Sequence, residues 1–329
     1  MTLATKKRQK RLIIKNIIML KDYLKLLFST LLVIFLCSCG TEEWYLYSSF
    51  HEPADEGLRF LVSRDGMHWD SIPGTWLHPE VGKQHVMRDP SILRTPDGTF
   101  HLVWTSSWQG DRGFGYANSR DLIHWSKERF ITVMEDTSTV NVWAPEWFYD
   151  DERKQAMVVW ASCIPYRFEK GIEDERNNHR LYYSMTKDFN TFTTGQLLMD
   201  PGFSSIDATI IKRGKSDYVM VLKDNTRPNR NLRISTAKDP LGPWSAASEP
   251  FTEEFVEGPT VVKIDNGYLI YYDRYKKYDF GASFTTDFKH FDDFSDHISI
   301  PPLHKHGTIF KAPAKIVKNL IIVSNSSSR

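Results

Sequence analysis

The sequence predicts an all-β fold, a five-bladed β-propeller with four-stranded antiparallel blades. Related stretches recur at intervals of 48 to 67 residues, as SRDGMHWDS, NSRDLIHWSK, MTKDFNTFTT, TAKDPLGPWS and FTTDFKHFDD. Periods near 50 residues are typical of propeller blades. Runs of alternating aromatic and β-branched residues precede the copies and indicate half-buried strands. No segment after residue 40 has the pattern of a long amphipathic helix, so four strands repeated five times account for the chain.

The repeated stretch itself is predicted to be scaffold. Its copies place an aspartate in a tight turn, at Asp65, Asp121, Asp188, Asp239 and Asp287. An aspartate in such a turn accepts hydrogen bonds from backbone N–H groups two or three residues on. The Trp or Phe that follows is expected to pack between blades. We therefore interpret Asp121 and His124 as structural residues and not as catalytic ones.

The opposite face of the propeller is where the first strand of each blade begins. Those openings are RDPSIL, WAPEWF, SIDATI, VEGPTVV and KHGTIF, and we expect them to surround one mouth of the central channel. Their leading polar residues, expected at equivalent positions, are Asp89, Glu146, Asp207, Glu257 and His306. No full blade follows KHGTIF, so strands between residues 44 and 72 are expected to complete that blade and close the ring.

Carboxylates crowded around one axis suit glycoside hydrolysis. Their mutual repulsion raises some of their pKa values, which separates a proton donor from a proton acceptor. An unpaired acid in an apolar strand is costly, which favours a function for Asp207 and Glu257. We predict catalytic roles for these two residues and for Asp89. Glu146 is open between structural, substrate-binding and catalytic roles, and His306 between a hydrogen-bonded channel histidine and an ion-binding one.

The ordered motifs RDPSI, WAPEW, SIDATI and VEGPTVV resemble family 43 of the glycoside hydrolases, over roughly residues 44 to 316. The resemblance implies an inverting reaction that releases L-arabinofuranose, D-xylose or galactofuranose. It also implies that Asp89 is the general base, that Glu257 is the general acid, and that Asp207 orients the acid and tunes its pKa. A central cation, usually calcium, is implied near His306, and no other cofactor is predicted.

Two positions depart from that family's pattern. Glu146 stands where many members have Asp, which places its substrate contact in question. Arg88 precedes the base and creates an RDP motif, which related fructan-cleaving families use to stabilise the transition state. Those enzymes also have an upstream NDPNG-like motif that supplies an Asp nucleophile. No such motif precedes Asp89, which argues against that chemistry.

Loops between the second and third strands of each blade are expected to wall the pocket. The longest runs from Cys163 to Arg180, and long loops on a rigid scaffold commonly set specificity. Trp108 is a candidate platform for a sugar face, and Lys223 and Arg274 are candidates to bind hydroxyls or tune the acid. The predicted substrate-binding residues are Arg88, Trp108, Trp143, Glu146, Lys223 and Arg274.

Residues 1–38 have the pattern of a lipoprotein signal peptide. The basic stretch KKRQKRLIIK leads into LLFSTLLVIFL, an apolar run with the length of a signal-peptide core. The following LCSCG resembles a bacterial lipobox, which implies cleavage before Cys39 and lipidation of its thiol. Met19 is an alternative start. We predict a cleaved segment 1–38, a tether 39–43 and a single catalytic propeller 44–329.

Charge and cysteine content limit the partners of the predicted mature chain. Residues 1–38 hold eight of the 42 Lys and Arg residues and one of the 41 acidic residues, which leaves 34 basic, 40 acidic and a net charge of −6. This balance argues against nucleic acid and favours a neutral carbohydrate. Three cysteines permit no disulfide framework or cysteine zinc site. We predict a monomer in the bacterial cell envelope, attached to the membrane only by lipid on Cys39.

Two alternatives share the scaffold. A non-catalytic sugar-binding propeller would fit the same aromatic loops and lipid anchor, but it has no use for three buried acids. A glycoside phosphorylase would replace water by phosphate and would need a cationic cluster beside the sugar, for which Arg227, Arg230 and Arg274 are candidates.

Overall fold

A computed structural model describes Lys21, Lys25 and residues 42–327. Cys39 and all of the predicted signal segment except those two lysines lie outside the described residues. Residues 42–327 form 19 β-strands, one 3₁₀ turn (Ser295–His297) and one α-helix, α1 (Ala314–Ser327). No helix among the described residues combines the length and apolar character that crossing a bilayer requires.

The strands form five antiparallel sheets, which are the five blades of a propeller. Blades I and II contain β4 (Arg88–Arg94), β5 (Phe100–Thr105), β6 (Gly113–Ser119), β7 (Arg129–Thr132), β8 (Trp143–Asp150), β9 (Gln155–Cys163), β10 (His179–Thr186) and β11 (Gln196–Met199). Blades III and IV contain β12 (Ser205–Gly214), β13 (Asp217–Asp224), β14 (Asn231–Ala237), β15 (Glu257–Ile264), β16 (Gly267–Arg274), β17 (Asp279–Thr285) and β18 (Asp292–Asp293). Blade V contains β1 (Glu43–Ser49), β2 (Arg59–Ser63), β3 (Asp70–Ile72) and β19 (Ile309–Pro313).

The ring closes as the sequence predicts. Inner strands of adjacent blades contact one another in the circular order β4, β8, β12, β15, β19 and back to β4. Blade V combines both ends of the propeller chain, because β19 pairs antiparallel with β1, with Ile309 opposite Tyr47 and Pro313 opposite Glu43. The predicted five-bladed fold is therefore confirmed.

The repeated aspartates are structural, as predicted. Oδ1 of Asp121 accepts hydrogen bonds from the backbone N–H groups of Ile123 (3.0 Å) and His124 (2.8 Å). The same pair of bonds forms at Asp65, Asp188 and Asp287. Asp239 accepts one such bond, from Leu241 (2.9 Å). The His124 side chain is 85% exposed, and its Nδ1 lies 2.8 Å from Oδ2 of its own turn aspartate.

Aromatic residues after these turns pack between blades. They are Trp69, Trp125, Phe192, Trp244 and Phe291, and each joins a cluster that spans two adjacent blades. Because the hydrophobic core is divided among these interfaces, the blades hold one another in the ring.

Two details differ from the sequence prediction. Blade III has three regular strands, and residues 245–251 take the fourth place through isolated backbone hydrogen bonds to β14. Helix α1 was not expected, yet it buries Ala314, Val317 and Leu320 against blade V. These residues are three positions apart and lie on one helix face. The helix is short and follows directly on a strand, so the helical spacing of these apolar residues is difficult to recognise in the sequence.

Candidate active site

A shared backbone irregularity shapes the mouth of the propeller. In blades I to IV, the pairing of the first two strands shifts register near the start of the inner strand. The residues at this bulge have positive φ, at Asp89 (51°), Ala144 (48°), Asp207 (51°) and Gly258 (59°). A β-bulge re-aims a side chain at the end of a strand, and strained residues of this kind concentrate at functional sites.

The expectation that the five leading polar residues occupy equivalent positions is wrong. Hydrogen bonds between adjacent blades show which residues of their inner strands correspond. Ser91 Oγ accepts from Trp147 N–H (3.1 Å), and Thr260 Oγ1 accepts from Ile309 N–H (3.0 Å). By this alignment Asp89, Asp207 and His306 share the bulge position with Ala144 and Gly258. Glu257 lies one residue before that position, and Glu146 lies two residues after it. The sequence motifs do not reveal this offset, because it depends on where each bulge falls.

Two cavities meet at the bulge. An open pocket is lined by Asp89, Asp207, Glu257, Arg88, Trp108 and Trp143, among others. A second cavity is lined by Asp89, Asp207, His306 and Glu146, among others. Asp89, Asp207 and His306 line both and therefore form the boundary between them. The predicted catalytic acids thus share one pocket, whereas Glu146 lines only the second cavity.

Asp89 is held by two hydrogen bonds. Oδ2 accepts from Thr105 Oγ1 (2.7 Å), and Oδ1 lies 2.9 Å from Nε2 of His306. Burial raises the pKa of Asp89, but the hydrogen bond and charge of His306, with Arg88 and Thr105, lower it to about 2. Asp89 is therefore ionised at neutral pH and can accept a proton.

Asp207 has the opposite electrostatic character. Burial raises its pKa to about 6; the charges of Lys223 and His306 oppose this rise, and the negative charges of Glu257 and Asp89 add to it. Its Oδ2 accepts a hydrogen bond from the backbone N–H of Gly258, the residue after Glu257 (3.1 Å). Asp207 therefore holds a proton in part of the molecules near neutral pH.

Glu257 is paired with a buried lysine from the neighbouring blade. Nζ of Lys223 donates a hydrogen bond to Oε2 of Glu257 at 2.8 Å, and the lysine side chain is 2% exposed. Burial raises the pKa of Glu257, but Lys223, with His306 and Arg88, lowers it to about 2. The pairing with Lys223 therefore favours the ionised form of Glu257 in the free site, whereas burial favours the protonated form of Asp207.

Glu146 lies among hydroxyl groups from other blades. Its Oε2 accepts from Thr308 Oγ1 (2.6 Å), and Thr209 Oγ1 lies 3.5 Å from its Oε1. Burial raises the pKa of Glu146 to about 7, against the opposing hydrogen bonds of Thr308, Ser91 and Thr209. A position in the second cavity gives Glu146 a structural contact across blades, and it does not place this residue beside Trp108 or Arg88 in the open pocket.

His306 lies between two carboxylates and does not fit a directly bound calcium ion. Among the described residues, potential ligand atoms of Glu257, Asp273 and His306 lie within 4.8 Å of one another. Lys223 and Lys305 already pair with the two acids, and both ring nitrogens of His306 face carboxylates. Calcium prefers six to eight oxygen ligands, so this donor set is unsuitable. A calcium ion held through waters stays a prediction.

Arg88, Trp108 and Trp143 form one wall of the pocket, with the two indole rings nearly perpendicular to each other. The Arg88 guanidinium carbon lies 3.9 Å from the centre of the Trp108 ring, and Arg88 also pairs with Glu52. Nε1 of Trp143 donates to the backbone carbonyl of Trp108 (2.9 Å), and the Trp143 ring stacks on His179. Trp108 remains 43% exposed, which leaves ring surface for a sugar.

Arg274 and Arg227, two of the remaining predicted cations, do not line the pocket. Arg274 forms two hydrogen bonds of 2.8 Å to Asp279 on its own loop, and it is not among the residues that line the pocket. Arg227 pairs with Glu173 and Asp174. Two of the three arginines proposed to bind phosphate are therefore already paired with carboxylates.

Three contributors to the site were not singled out from the sequence: Thr105, Asp273 and Lys305. Asp273 ends the apolar run YLIYYD, so the cost of an unpaired buried acid, used above for Asp207, would have indicated it. Thr105 and Lys305 carry no comparable signal, because hydroxyls and lysines are common at strand ends.

A five-bladed propeller with buried acids gathered in one open pocket is the architecture of a propeller glycoside hydrolase. The chain belongs to the family whose model is described as "Probable glycosyl hydrolase domain", a family related to glycoside hydrolase family 43, and that model matches residues 42–315. The recognition of a family 43 type propeller from the sequence motifs is confirmed.

Individual relatives are distant. An α-L-arabinofuranosidase from Bifidobacterium longum is 24% identical over 57% of this chain, and the matched region spans only 22% of that relative's length. The endo-arabinase structure from Bacteroides thetaiotaomicron is 15% identical, with a TM-score of 0.52 over 71% of this chain and 86% of that one. A family 117 glycoside hydrolase structure from Zobellia galactanivorans is 14% identical, with a TM-score of 0.53 over 66% and 70% of the two chains. These two structures establish likeness of fold.

Proposed function

We propose that this protein is an inverting glycoside hydrolase that removes a furanose or pentose residue from a polysaccharide or oligosaccharide. The observation that carries the proposal is the convergence of Asp89, Asp207 and Glu257, from three different blades, on one open pocket. L-Arabinofuranose, D-xylose and galactofuranose are the candidate sugars. The similarity to an arabinofuranosidase supports the first of these.

In the proposed reaction, Asp89 acts as the base. Thr105 and His306 fix its carboxylate, which takes a proton from water while the water oxygen bonds to the anomeric carbon. The bond between that carbon and the glycosidic oxygen breaks in the same step. A proton from the acid goes to the departing oxygen, so charge and atoms balance.

Glu257 is the proposed acid, and it must gain a proton before it acts. A sugar that fills the pocket removes water from around Glu257, which raises the pKa of this carboxyl. Asp207 holds a proton in part of the free molecules and accepts a hydrogen bond from the backbone next to Glu257. We propose that substrate binding moves this proton from Asp207 to Glu257.

Incubation with nitrophenyl α-L-arabinofuranoside, β-D-xyloside and β-D-galactofuranoside tests the proposal. We expect release of nitrophenol from at least one substrate, and NMR of the first product formed should show inverted anomeric configuration. Binding without release would favour a sugar-binding propeller. Release that requires inorganic phosphate would favour a phosphorylase, although the pairing of Arg227 and Arg274 with carboxylates does not support that alternative.

We further propose that lipid on Cys39 holds the catalytic domain at the bacterial cell envelope, as a monomer. The LCSCG motif after an apolar run supports this. Expression in a bacterial host with Cys39→Ala should move the protein from the membrane fraction to the aqueous fraction, and an unchanged distribution would contradict the proposal.

A further inference from the structure

Asp273 is a buried acid that lies behind the pocket. It is 1% exposed, near the end of β16 in blade IV, where it pairs with Glu257 across the strands. Its carboxylate oxygens lie 3.2 and 3.4 Å from Nζ of Lys305, and one of them lies 3.4 Å from Nδ1 of His306. Asp273 is not among the residues that line the open pocket. Any effect on catalysis must therefore pass through a neighbour.

That neighbour is His306, which connects Asp273 to the proposed base. Nδ1 faces Asp273, and Nε2 lies 2.9 Å from Oδ1 of Asp89. Both ring nitrogens donate only when the imidazole is protonated, so the two carboxylates together favour the charged ring. Asp273 lies on the side of the His306 ring that faces away from Asp89. It therefore sets the charge of the ring and the direction of the hydrogen bond that Asp89 accepts from Nε2.

The ring has little freedom to turn. Gly258 packs so closely that an added Cβ would lie 2.1 Å from the His306 ring, and its φ of 59° also disfavours a side chain. Phe50 meets the ring edge-on at 6.0 Å between centroids. Gly258 and Phe50 therefore limit rotation of the ring, and in the orientation that remains Nδ1 faces Asp273 while Nε2 faces Asp89.

We propose that Asp273 is a positioning residue, which acts through His306 to hold the Asp89 carboxylate in the orientation and charge state that accept a proton from water. This inference rests on the proposed function, and it adds a residue from blade IV to the machinery of a base in blade I. It also gives His306 a role that requires no metal ion.

The surrounding charges fix the direction of the expected pH effect. The ionisable groups that interact with His306, Asp89 or Asp273 are Asp207, Glu257, Arg88, Lys305 and Tyr47. Removal of the Asp273 charge lowers the pKa of His306, so Asp89 faces less positive charge. The pKa of Asp89 then rises, and the acidic limb of the kcat/KM profile moves to higher pH.

Asp273→Asn keeps the size of the side chain and removes its charge. We expect kcat to fall about 10- to 100-fold, part of what a general base contributes, with KM little changed and the acidic limb moved to higher pH. Asp150→Asn is the matched control, because Asp150 is also 1% exposed and is paired with Arg153 away from the pocket. An unchanged kcat and acidic limb in Asp273→Asn, or an equal loss in the control, would overturn the proposal.

A second measurement separates this inference from the proposed function. NMR of protein with ¹⁵N-labelled histidine follows the His306 ring without substrate, with its signals assigned by their loss in His306→Gln. We expect a doubly protonated ring through neutral pH in the wild type and deprotonation at lower pH in Asp273→Asn. If the wild type hydrolyses no glycoside, this result still tests the link between the two residues. Identical titration in both proteins would refute it.

Lys305→Met covers the case in which Asp273→Asn fails to fold. This variant removes the other partner of Asp273 and leaves the contact with His306. We expect the His306 ring to stay doubly protonated through neutral pH in this variant, because Asp273 still faces Nδ1. Loss of the ring proton in Lys305→Met would mean that Asp273 serves to neutralise the lysine, and the proposal would fail.

Discussion

Nζ of Lys223 in blade III lies 2.8 Å from Oε2 of Glu257 in blade IV and keeps this carboxylate ionised in the free site. A glycosidase acid must be protonated when the substrate is in place. The ion pair therefore opposes the role proposed for Glu257 until a sugar fills the pocket. This contact makes the charge state of Glu257 depend on occupancy, and the first prediction tests it.

Lys223→Met should move the basic limb of the kcat profile to higher pH by about one unit or more, since an adjacent opposite charge lowers a carboxyl pKa by about 1–3 units. Loss of the lysine raises the pKa of Glu257, so the protonated acid persists to higher pH. The profile is measured from initial rates between pH 4 and 9 or so. Lys212→Met, which removes a lysine paired with Asp151 and Glu152 on the surface, should leave the profile unmoved.

Glu257→Gln should lower kcat about 10²- to 10⁴-fold on substrates with poor leaving groups, the range that general acid catalysis supplies. The loss should be far smaller with a dinitrophenyl leaving group, which departs without a proton. Rates across a series of aryl glycosides give this dependence. Circular dichroism should show that the variant remains folded.

Asp207→Asn should also lower the rate more for poor leaving groups than for dinitrophenyl, because Glu257 that is not oriented and protonated by Asp207 assists departure less. The dependence on leaving group should be weaker than in Glu257→Gln, because Glu257 can still take a proton from water. The same series of aryl glycosides is used for both variants. Strong dependence on leaving group in Asp207→Asn, with weak dependence in Glu257→Gln, would identify Asp207 as the acid and exclude the assignment made above.

Glu146→Gln should stabilise the protein at alkaline pH relative to the wild type. The folded pKa of Glu146, raised by burial to about 7, exceeds the unfolded value of about 4.3. Folding is therefore most favoured below the unfolded pKa, and stability is lost as the pH rises through 7. The difference in unfolding free energy between variant and wild type should grow by up to about 3 kcal/mol between pH 4 and 8. Urea unfolding measures it, and a difference that does not change with pH would contradict the prediction.

Trp108→Ala should raise KM about 2- to 10-fold with a smaller effect on kcat, because ring contacts contribute about 0.5–1.5 kcal/mol beyond area burial. The same change removes the ring on which Arg88 stacks. Trp143→Phe, which loses the hydrogen bond to the Trp108 carbonyl but keeps a ring in the wall, should have a weaker effect. Initial rates over a range of substrate concentrations distinguish the two.

The fold was predictable because its signals are local. The aspartates in the repeated turns bond to backbone groups two and three residues on, so the sequence alone indicates them and their spacing gives the blade count. No full blade follows the strand at Ile309 in the sequence. The sequence therefore indicates that residues near Tyr47 complete blade V, as the pairing of the two strands shows. Convergence of Asp89, Asp207 and Glu257 on one pocket follows in turn from the ring.

The electrostatics of the site were not predictable, because they arise between blades. Lys223 and Glu257 are 34 residues apart in sequence, and His306 lies 217 positions after Asp89. No local pattern indicates such pairs. The offset of Glu146 from the bulge could not be predicted from the sequence either. A shift of one residue in strand register decides which cavity a side chain enters.

Blade V has a consequence for biosynthesis. The strand that closes the ring, β19, follows the other propeller strands along the chain and pairs with β1, the first of them. His306 lies three residues before this strand and contacts Asp89 in the adjacent blade. A nascent chain in which β19 has not yet been synthesised cannot close the ring that brings His306 to Asp89, so the acid cluster assembles only after this strand has formed.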